Sequence, residues 1–467
     1  RRTMSERTRG LLRGGVRATV GVLVIGVAAT AAVVLNAAPL PAVEREPVAV
    51  RVDTLHGAEQ SLVCGGSFAE LGADPSRPGV AVPSGTAAVT LAGAAASSTQ
   101  LERSEPGGSL PEVVHAPAGE PTGAAQRQSV STAALRGLAA SSCAEASNEQ
   151  WLLGGATSLG ISTTVNLGNP SAVPATVQLT IFDERGRVDE SSSGVLVPAG
   201  SERTVSLNGY APGRERIAVR VVSTGAAVTA SLGVAQTDTL TSFAVDTVTR
   251  QLAPSRTLVF PGVANISDHQ HGPGDAGELD PFPVVVRALA PGGESGTAVV
   301  RALKADGGSV ELGVLEFGDG AVAELPIAHW PEDANAVTVE ADAPLVGGVL
   351  GSADNGVEHD YAWFAPAPLQ PAETGVAAPV VPGGRLVLVN PGTAPITVTI
   401  TGEASGRSSE ATVPAGGALL ADAAGGARLE GSGAFVAGVR VTGDGDIAGY
   451  PILAAVERAS SITVYPR

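Results

Sequence analysis

The sequence predicts a mainly β protein in which an N-terminal transmembrane helix is followed by tandem immunoglobulin-like β-sandwich domains. Three observations lead to this fold class: a basic segment before a long uncharged apolar run, short β-branched runs separated by turn residues, and internal repeats in a fixed order. The chain has 467 residues, a length that corresponds to about three domains. Its 60 Gly and 33 Pro residues disfavour long helices, because both residue types destabilise a helix interior.

The apolar run extends from Ala18 to Leu35, and six arginines precede it within residues 1–17. As a helix it would be about 27 Å long, close to the hydrocarbon thickness of about 30 Å. Because basic flanks stay in the cytoplasm, we expect a cytoplasmic tail over 1–17 and a transmembrane helix or signal anchor over 18–35. The protein would then cross the plasma membrane once, with the rest of the chain extracytoplasmic. In the alternative interpretation, a signal peptide is cleaved near residues 37–42 and the protein is secreted.

The only two cysteines, Cys64 and Cys143, lie in the part of the chain that we expect to be exported. An oxidising compartment would allow them to form one disulfide. The closed loop of about 80 residues would stabilise the fold by roughly 4 kcal/mol. Two unpaired buried thiols are the alternative. The region that contains them, residues 36–149, is rich in Pro, Ala and Gly, and we expect it to hold short strands.

Internal repeats appear after Trp151, where short β-branched runs alternate with turn residues. The pair Asn169-Pro170 recurs as Asn390-Pro391, 221 positions later, and Val197–Gly200 (Val-Pro-Ala-Gly) recurs as Val413–Gly416, 216 positions later. A weaker copy lies between them. Asn-Pro and Val-Pro-Ala-Gly favour turns, so we interpret both as structural markers. The repeats predict three β-sandwiches, over residues 150–250, 251–365 and 366–467.

The order of these features resembles that of an uncharacterised actinobacterial family of membrane-anchored extracytoplasmic envelope proteins. The resemblance depends on the N-terminal anchor and on a series of positions shared with that family: Cys64, Cys143, Trp151, Leu167, Asn169, Pro170 and Val197–Gly200. The family carries a domain-of-unknown-function label. The resemblance therefore implies a location in the cell envelope and a fold, and it implies no active site.

One candidate metal site combines His269 and His271 with nearby carboxylates. Two histidines separated by one residue can reach a metal ion from an extended segment, and carboxylates can complete its coordination. The same segment contains several Gly and Pro residues, so a solvated surface loop is the alternative interpretation.

A second candidate site gathers rare aromatic residues, since only 3% of the chain is aromatic. His329, Trp330, Tyr361, Trp363 and Phe364 would form a ligand surface, because aromatic faces suit sugar stacking or a protein hot spot. Alternatively, these side chains cap the core at the end of the middle repeat. Tyr361 and Trp363 alternate along one strand face, which favours burial of that face.

The sequence contains no catalytic motif that selects a nucleophile or an acid–base pair. The net charge of −17 argues against nucleic-acid binding, which requires a basic surface. We therefore expect a non-enzymatic membrane-anchored envelope protein, without a cofactor, that acts as a scaffold or binding module. Its expected partners are the membrane and, outside it, envelope proteins or wall glycan. The alternatives are an envelope hydrolase acting on wall glycan and a solute- or metal-binding receptor.

Overall fold

The computed structural model describes ten stretches of the chain: residues 20–30, 50–52, 60–94, 97–117, 121–132, 135–188, 194–238, 241–267, 282–454 and 462–464. The chain divides into two units. The first comprises Arg1–Thr54 and Ala459–Arg467, and the second is Leu55–Arg458. In the first unit, helix α1 covers residues 20–30, and strand β1 (Val50–Val52) pairs antiparallel with the C-terminal strand Ile462–Val464.

The transmembrane helix predicted over residues 18–35 is described only over 20–30, and the other residues of that span lie outside the described part of the chain. Within the described ranges, no helix has both the length and the apolar character needed to traverse a lipid bilayer. The mainly β class is confirmed, because the second unit consists of several β-sheets.

The second unit begins with a region of short strands that follows the predicted Pro/Ala/Gly-rich segment. Its three sheets are antiparallel, with strand orders β11-β2-β8-β6, β10-β9-β5 and β3-β4. The strands are β2 (Gln60–Cys64), β3 (Ala69–Leu71), β4 (Ala81–Pro83), β5 (Ala88–Ala92), β6 (Ser97–Gln100), β7 (Glu102–Arg103), β8 (Glu112–Ala116), β9 (Gly123–Ser131), β10 (Arg136–Ser142) and β11 (Ala144–Glu145).

The predicted disulfide is confirmed, since Cys64 is bonded to Cys143 with a Cα–Cα distance of 4.4 Å. Cys64 ends β2, and Cys143 lies between β10 and β11, so the bond connects two sheets. Both residues are buried with Leu62, Val114 and Ala124 in a small core. The disulfide therefore substitutes for the large apolar core that this alanine-rich region lacks.

The first sandwich packs two sheets, of order β12-β18-β14-β15 and β20-β19-β13-β17, around one core. β16 pairs with β14, and β7 extends the second sheet by pairing parallel to β17. The elements are β12 (Glu149–Leu153), β13 (Ile161–Asn169), β14 (Ala175–Asp183), β15 (Gly186–Arg187), β16 (Val195–Val197), β17 (Ser201–Ser206), a 3-10 helix (Leu207–Gly209), β18 (Ala218–Thr224), β19 (Thr229–Asp238) and β20 (Thr241–Val248).

This strand order differs from that of an immunoglobulin domain. There, the first strand pairs with the second, and the last joins the sheet of the third and the sixth. Here the first strand, β12, pairs with β18, and the late strand β19 pairs with β13. Compared with an immunoglobulin domain, β12 and β19 have exchanged sheets. The fold is therefore a β-sandwich, and its immunoglobulin-like topology is not confirmed. Alternating apolar residues in each strand indicate a sandwich, but they do not determine which strands pair.

The second sandwich is built on β27, a strand of 21 residues that belongs to both of its sheets. The N-terminal half of β27 pairs with β21 and β24, and its C-terminal half pairs with β22, β23 and β28. β25 pairs with β24, and β26 pairs with β23. The strands are β21 (Ser255–Pro261), β22 (Asn265–Ser267), β23 (Val284–Leu289), β24 (Gly296–Lys304), β25 (Ser309–Phe317), β26 (Ala323–Ile327), β27 (Ala334–Asp354) and β28 (His359–Phe364).

The third sandwich consists of sheets with orders β29-β36-β31-β34 and β30-β35-β32-β33, and β37 pairs with β36. Its strands are β29 (Leu369–Gln370), β30 (Val376–Val380), β31 (Gly384–Val389), β32 (Ile396–Gly402), β33 (Ser408–Val413), β34 (Ala418–Ala421), β35 (Gly425–Gly431), β36 (Phe435–Thr442) and β37 (Ile447–Pro451). The domain boundaries remain predictions, because Leu55–Arg458 forms one compact unit.

The repeated turn motifs occupy equivalent places in the first and third sandwiches. Asn169 donates from Nδ2 to the carbonyls of Val173 and Val197 at 2.9 and 3.1 Å. Asn390 donates in the same way to Ala394 and Val413 at 2.8 and 3.1 Å. Both asparagines are fully buried. Each asparagine therefore connects its Asn-Pro turn to the Val-Pro-Ala-Gly turn of the same sandwich by hydrogen bonds. We call this arrangement the asparagine clamp.

Candidate functional site

A cavity of about 730 Å³ lies where the second and third sandwiches meet the end of the first. Its volume falls in the range of about 300–1,000 Å³ that is usual for small-molecule sites. The described wall comes mainly from three segments that follow strands: Arg250–Ala253 after β20, Pro366–Leu369 after β28, and Leu453–Ala454 after β37. Part of β21, together with Pro391 and Val436, completes it.

Two buried aspartates fix the strands from which these segments emerge. Asp246 in β20 accepts a hydrogen bond of 2.6 Å from the backbone N–H of Trp363 in β28, which ties the first sandwich to the second. Asp360 in β28 accepts hydrogen bonds from the N–H groups of Leu138 in β10, at 2.9 Å, and Ile447 in β37, at 3.3 Å. The positions of β20, β28 and β37, and hence of the cavity wall, therefore depend on these two carboxyl groups.

Burial raises the pKa of Asp246 to about 8, although the N–H groups of Trp363 and Thr247 act in the opposite direction. Burial also raises the pKa of Asp360 well above its usual value, and the nearby Asp446 adds to this effect. Both groups are almost completely removed from solvent. They lie inside the junctions between sheets, so we assign them to structure rather than to ligand contact.

The described wall of the cavity is mostly apolar. Leu258, Val259 and Val436 are buried there, whereas Leu252 and Leu369 are 42% and 57% exposed. Exposed leucines at the edge of an apolar cavity are consistent with an entrance for an apolar ligand. Gln251 contributes a polar group that the fold already uses, because its amide bonds the carbonyls of Ala253 and Leu345 and the N–H of Gly347.

Arg250 is the only ionisable residue in the described wall of this cavity. It also contributes to the walls of two smaller cavities, of about 30 Å³ each. The residue is only 4% exposed. One terminal nitrogen donates to the backbone carbonyl of Glu145 at 3.0 Å, and Nε is buried without a hydrogen-bond partner among the described residues. The fold thus provides this guanidinium with fewer acceptors than it can use.

Burial lowers the pKa of Arg250 to about 10, and the charge of Glu145 partly offsets this effect. Arg250 is therefore protonated at neutral pH. Within the described parts of the chain, it forms no ion pair, and Glu145 Oε1 accepts from Gln60 Nε2 at 2.7 Å. A buried cation is energetically costly unless an anion compensates it, and the charge of Glu145 does so only in part.

The predicted aromatic surface is not formed as expected. Tyr361 and Trp363 are 6% and 4% exposed and belong to the core of the first sandwich, whereas Phe364 is 1% exposed in the core of the second. They separate because successive side chains of β28 point to opposite faces. This correction favours the interpretation that these residues complete the cores. The guanidinium of Arg287 lies 4.7 Å from the Trp363 ring centre.

The other two members of that surface lie elsewhere on the second sandwich. His329 is exposed, and Trp330 is half-buried against the second core. They follow β26 and do not join the rings of Tyr361 or Trp363, which point into the first core. His269 and His271, the predicted metal ligands, lie outside the described residues. Within the described ranges, no group of three or more His, Cys, Asp or Glu side chains is placed to hold a metal ion.

Sequence reasoning did not identify Arg250 or the cavity. Arg250 occurs in the segment Thr249–Gln251, which has no recognisable motif. Its burial depends on how the sheets pack, and other arginines of the chain lie in or beside strands in the same way. No local sequence pattern could indicate the cavity, because the residues of its described wall are spread over more than 200 positions of the chain, from Arg250 to Ala454.

The fold defines a mainly β protein of several sheets, with a largely apolar cavity and one buried arginine in its wall. Residues 102–424 match a family of unknown function, DUF5719, and the chain belongs to that family. No curated protein matches the sequence, and no solved structure matches it. The actinobacterial origin and the membrane anchoring suggested by the resemblance remain predictions.

Proposed function

We propose that this protein is a non-enzymatic, membrane-anchored extracytoplasmic binding protein of the cell envelope, and that its cavity takes an apolar ligand. The observation that carries the proposal is the cavity of about 730 Å³ with its largely apolar wall. Binding is favoured over glycan hydrolysis at this place, because hydrolysis requires two carboxyl groups and the described wall contributes only Arg250 as an ionisable residue.

The proposed location is supported by two features. The disulfide Cys64–Cys143 is typical of an oxidising compartment outside the cytoplasm. The arginines within residues 1–17 and the apolar run 18–35 favour an uncleaved anchor with a cytoplasmic N-terminus. After washing with high salt and carbonate, the protein should stay in the membrane pellet. Release into the medium with a new N-terminus near residue 38 or 42 would replace the anchor with secretion after cleavage.

The ligand proposal can be tested with a cavity-filling variant. Ala367 lines the cavity and is half-buried, so Ala367→Phe should occupy part of the space that a ligand requires. We expect the neutral dye Nile red to bind the wild-type chain and to bind Ala367→Phe at least about fivefold more weakly, a loss of about 1 kcal/mol. Fluorescence titration measures both affinities.

Ala372→Phe is the matched control, because Ala372 is exposed and does not line the cavity. It should bind the dye as the wild type does. Equal affinities of the wild type and both variants, with unchanged circular dichroism, would remove the cavity from the proposed function.

The proposed neighbours outside the membrane are envelope proteins or wall glycan. The support for them is the proposed location, together with a net charge of −17 that disfavours nonspecific binding to acidic surfaces. Crosslinking in intact cells, followed by mass spectrometry of the captured molecules, tests this part. Capture of cytoplasmic proteins alone would contradict it.

A further inference from the structure

We infer that the cavity binds a single-chain amphiphile with a carboxylate headgroup, and that this carboxylate pairs with Arg250. The inference rests on the proposed function, since it assumes that the cavity takes an apolar ligand, and it adds the charge and the class of that ligand. The argument combines the apolar wall with a buried guanidinium that forms no ion pair among the described residues and whose Nε has no partner there, although the charge of Glu145 acts on it.

The apolar part of the ligand is indicated by the wall. Leu258, Val259 and Val436 provide buried aliphatic surface, and Leu252 and Leu369 present exposed aliphatic surface at the same cavity. Pro366, Pro368 and Pro391 add rigid apolar contacts without backbone donors, since proline has no N–H group. The described wall contains no aromatic side chain, so flexible aliphatic chains suit it better than planar rings that require stacking.

The charged part of the ligand is indicated by Arg250. Only 4% of the surface of Arg250 is exposed to solvent. Its Nε has no partner among the described residues, and one terminal nitrogen donates to a single carbonyl, that of Glu145. A carboxylate presents two oxygens that match the planar fork of a guanidinium, so it would use the donors that the fold leaves free.

The size of the charge also favours a carboxylate. Arg250 is the one cation in the described wall, and one guanidinium compensates one negative charge. A phosphate monoester carries between one and two negative charges at neutral pH, and the excess would remain buried without a partner. An amine of the same chain length would place a second cation next to Arg250.

The test compares three probes of equal chain length: dodecanoic acid, 1-dodecanol and dodecylamine. Isothermal titration calorimetry with the purified full chain, below the aggregation concentration of each probe, gives the affinities. We expect the acid to bind at least about tenfold more tightly than the alcohol, since one charge-assisted hydrogen bond contributes that much. The amine should bind most weakly.

Variants at Arg250 assign the effect to this side chain. Arg250→Gln should lose the preference for the acid and keep the affinity for the alcohol, whereas Arg250→Lys should keep part of the preference because it keeps the charge. Arg440→Gln is the matched control: burial also lowers the pKa of Arg440 to about 10, and Arg440 is not among the residues that line the cavity. Binding of the alcohol to Arg250→Gln shows at the same time that this variant is folded.

The outcomes separate the two proposals. If the acid and the alcohol bind the wild type equally, the carboxylate inference is wrong and the apolar cavity stands. If none of the three probes binds, the proposed function itself fails. A preference for the acid that survives in Arg250→Gln and disappears in Arg440→Gln would place the anion at another site and overturn the inference.

Discussion

The first and third sandwiches share the asparagine clamp and differ in how their cores are completed. Asn169 and Asn390 make equivalent hydrogen bonds within their own sandwich. The first core, however, includes Tyr361 and Trp363 from β28 of the second sandwich. The third core includes Ala125, Leu138 and Ala140 from the N-terminal region. The comparison shows that turns are conserved locally between the two copies, whereas each core depends on a different distant segment.

The largest expected effect tests whether the first sandwich depends on the second. Trp363→Ala removes a buried indole from the first core, although position 363 lies on a strand of the second sandwich. We expect a loss of about 3–5 kcal/mol in the free energy of unfolding, as for other large-to-small core substitutions of tryptophan. Urea denaturation, followed by tryptophan-independent circular dichroism, measures the change.

Trp330→Ala is the control, because Trp330 is half-buried at the edge of the second core. It should cost less than half as much as Trp363→Ala. Equal losses for the two variants would mean that the first sandwich gains no special support from β28, and the contrast between the two cores would fail.

The next prediction tests the asparagine clamp, which the first and third sandwiches share. Asn169→Ala and Asn390→Ala each remove the amide donor from one buried carbonyl, that of Val197 or Val413, and from one partly buried carbonyl in the Asn-Pro turn. Each substitution should therefore lower the free energy of unfolding by about 2 kcal/mol, and the two losses should be similar. Urea midpoints measure both.

Asn148→Ala is the control, since Asn148 is itself exposed, in contrast to the two fully buried asparagines, and its amide donates to Ser223 at 3.2 and 3.3 Å. A change within about 0.5 kcal/mol is expected for it. A large loss for Asn169→Ala together with a negligible loss for Asn390→Ala would show that the two turns are alike in sequence only.

The clamp explains how much of this fold could be predicted from the sequence. The Asn-Pro and Val-Pro-Ala-Gly motifs marked the correct turns, because turn chemistry is local and depends on few residues. The mainly β class and the disulfide followed from composition and from two cysteines. The exchange of β12 and β19 between sheets could not be predicted, since alternation specifies which face of a strand is buried and leaves its partners open.

The candidate site was less predictable than the fold. The aromatic residues of β28 were singled out for their rarity, yet the alternation of the strand directs Tyr361 and Trp363 into one core and Phe364 into another. The cavity forms between segments near residues 250, 367 and 453, which no local pattern relates. Arg250 differs from the other arginines in the sequence only in being buried in the cavity wall, and its burial depends on how the sheets pack together.

A third prediction concerns the junction that joins the first sandwich to the second. Burial raises the pKa of Asp246 from 3.8 to about 8 in the folded state, so the folded state binds more protons than the unfolded state between these values. The contribution of Asp246 to the free energy of unfolding is therefore fully present below about pH 4 and is lost as the pH rises towards 8. Between pH 6 and 8, the wild type should lose about 2 kcal/mol through Asp246.

Asp246→Asn removes this titration and should make the decline in stability between pH 6 and 8 smaller by about 2 kcal/mol, as measured by urea midpoints at pH 6, 7 and 8. Asp422→Asn replaces an exposed carboxylate whose side chain is 89% accessible, and it should retain the wild-type profile. If Asp246→Asn shows the same decline as the wild type, the junction does not carry a proton in this range, and the link between β20 and β28 acts through a carboxylate instead.

The smallest expected effect returns to the shared turns. Gly200 and Gly416 end the two Val-Pro-Ala-Gly motifs with φ angles of 60° and 65°, a conformation that costs other residues about 1 kcal/mol. Gly200 N–H donates to Ser171 and Gly416 N–H donates to Gly392, so each glycine bonds the Asn-Pro turn that the clamp also holds. Gly200→Ala and Gly416→Ala should each lower the free energy of unfolding by about 1 kcal/mol, and the double variant by about 2.

Gly209→Ala is the control, because Gly209 is exposed, has an ordinary φ and has open space around it, so this substitution should change the free energy of unfolding little. Because an added methyl group would meet no atom within 4 Å at Gly200 and only one carbonyl oxygen at 3.7 Å at Gly416, a loss must come from backbone conformation. Unequal losses at the two glycines would therefore locate a real difference between the two turns.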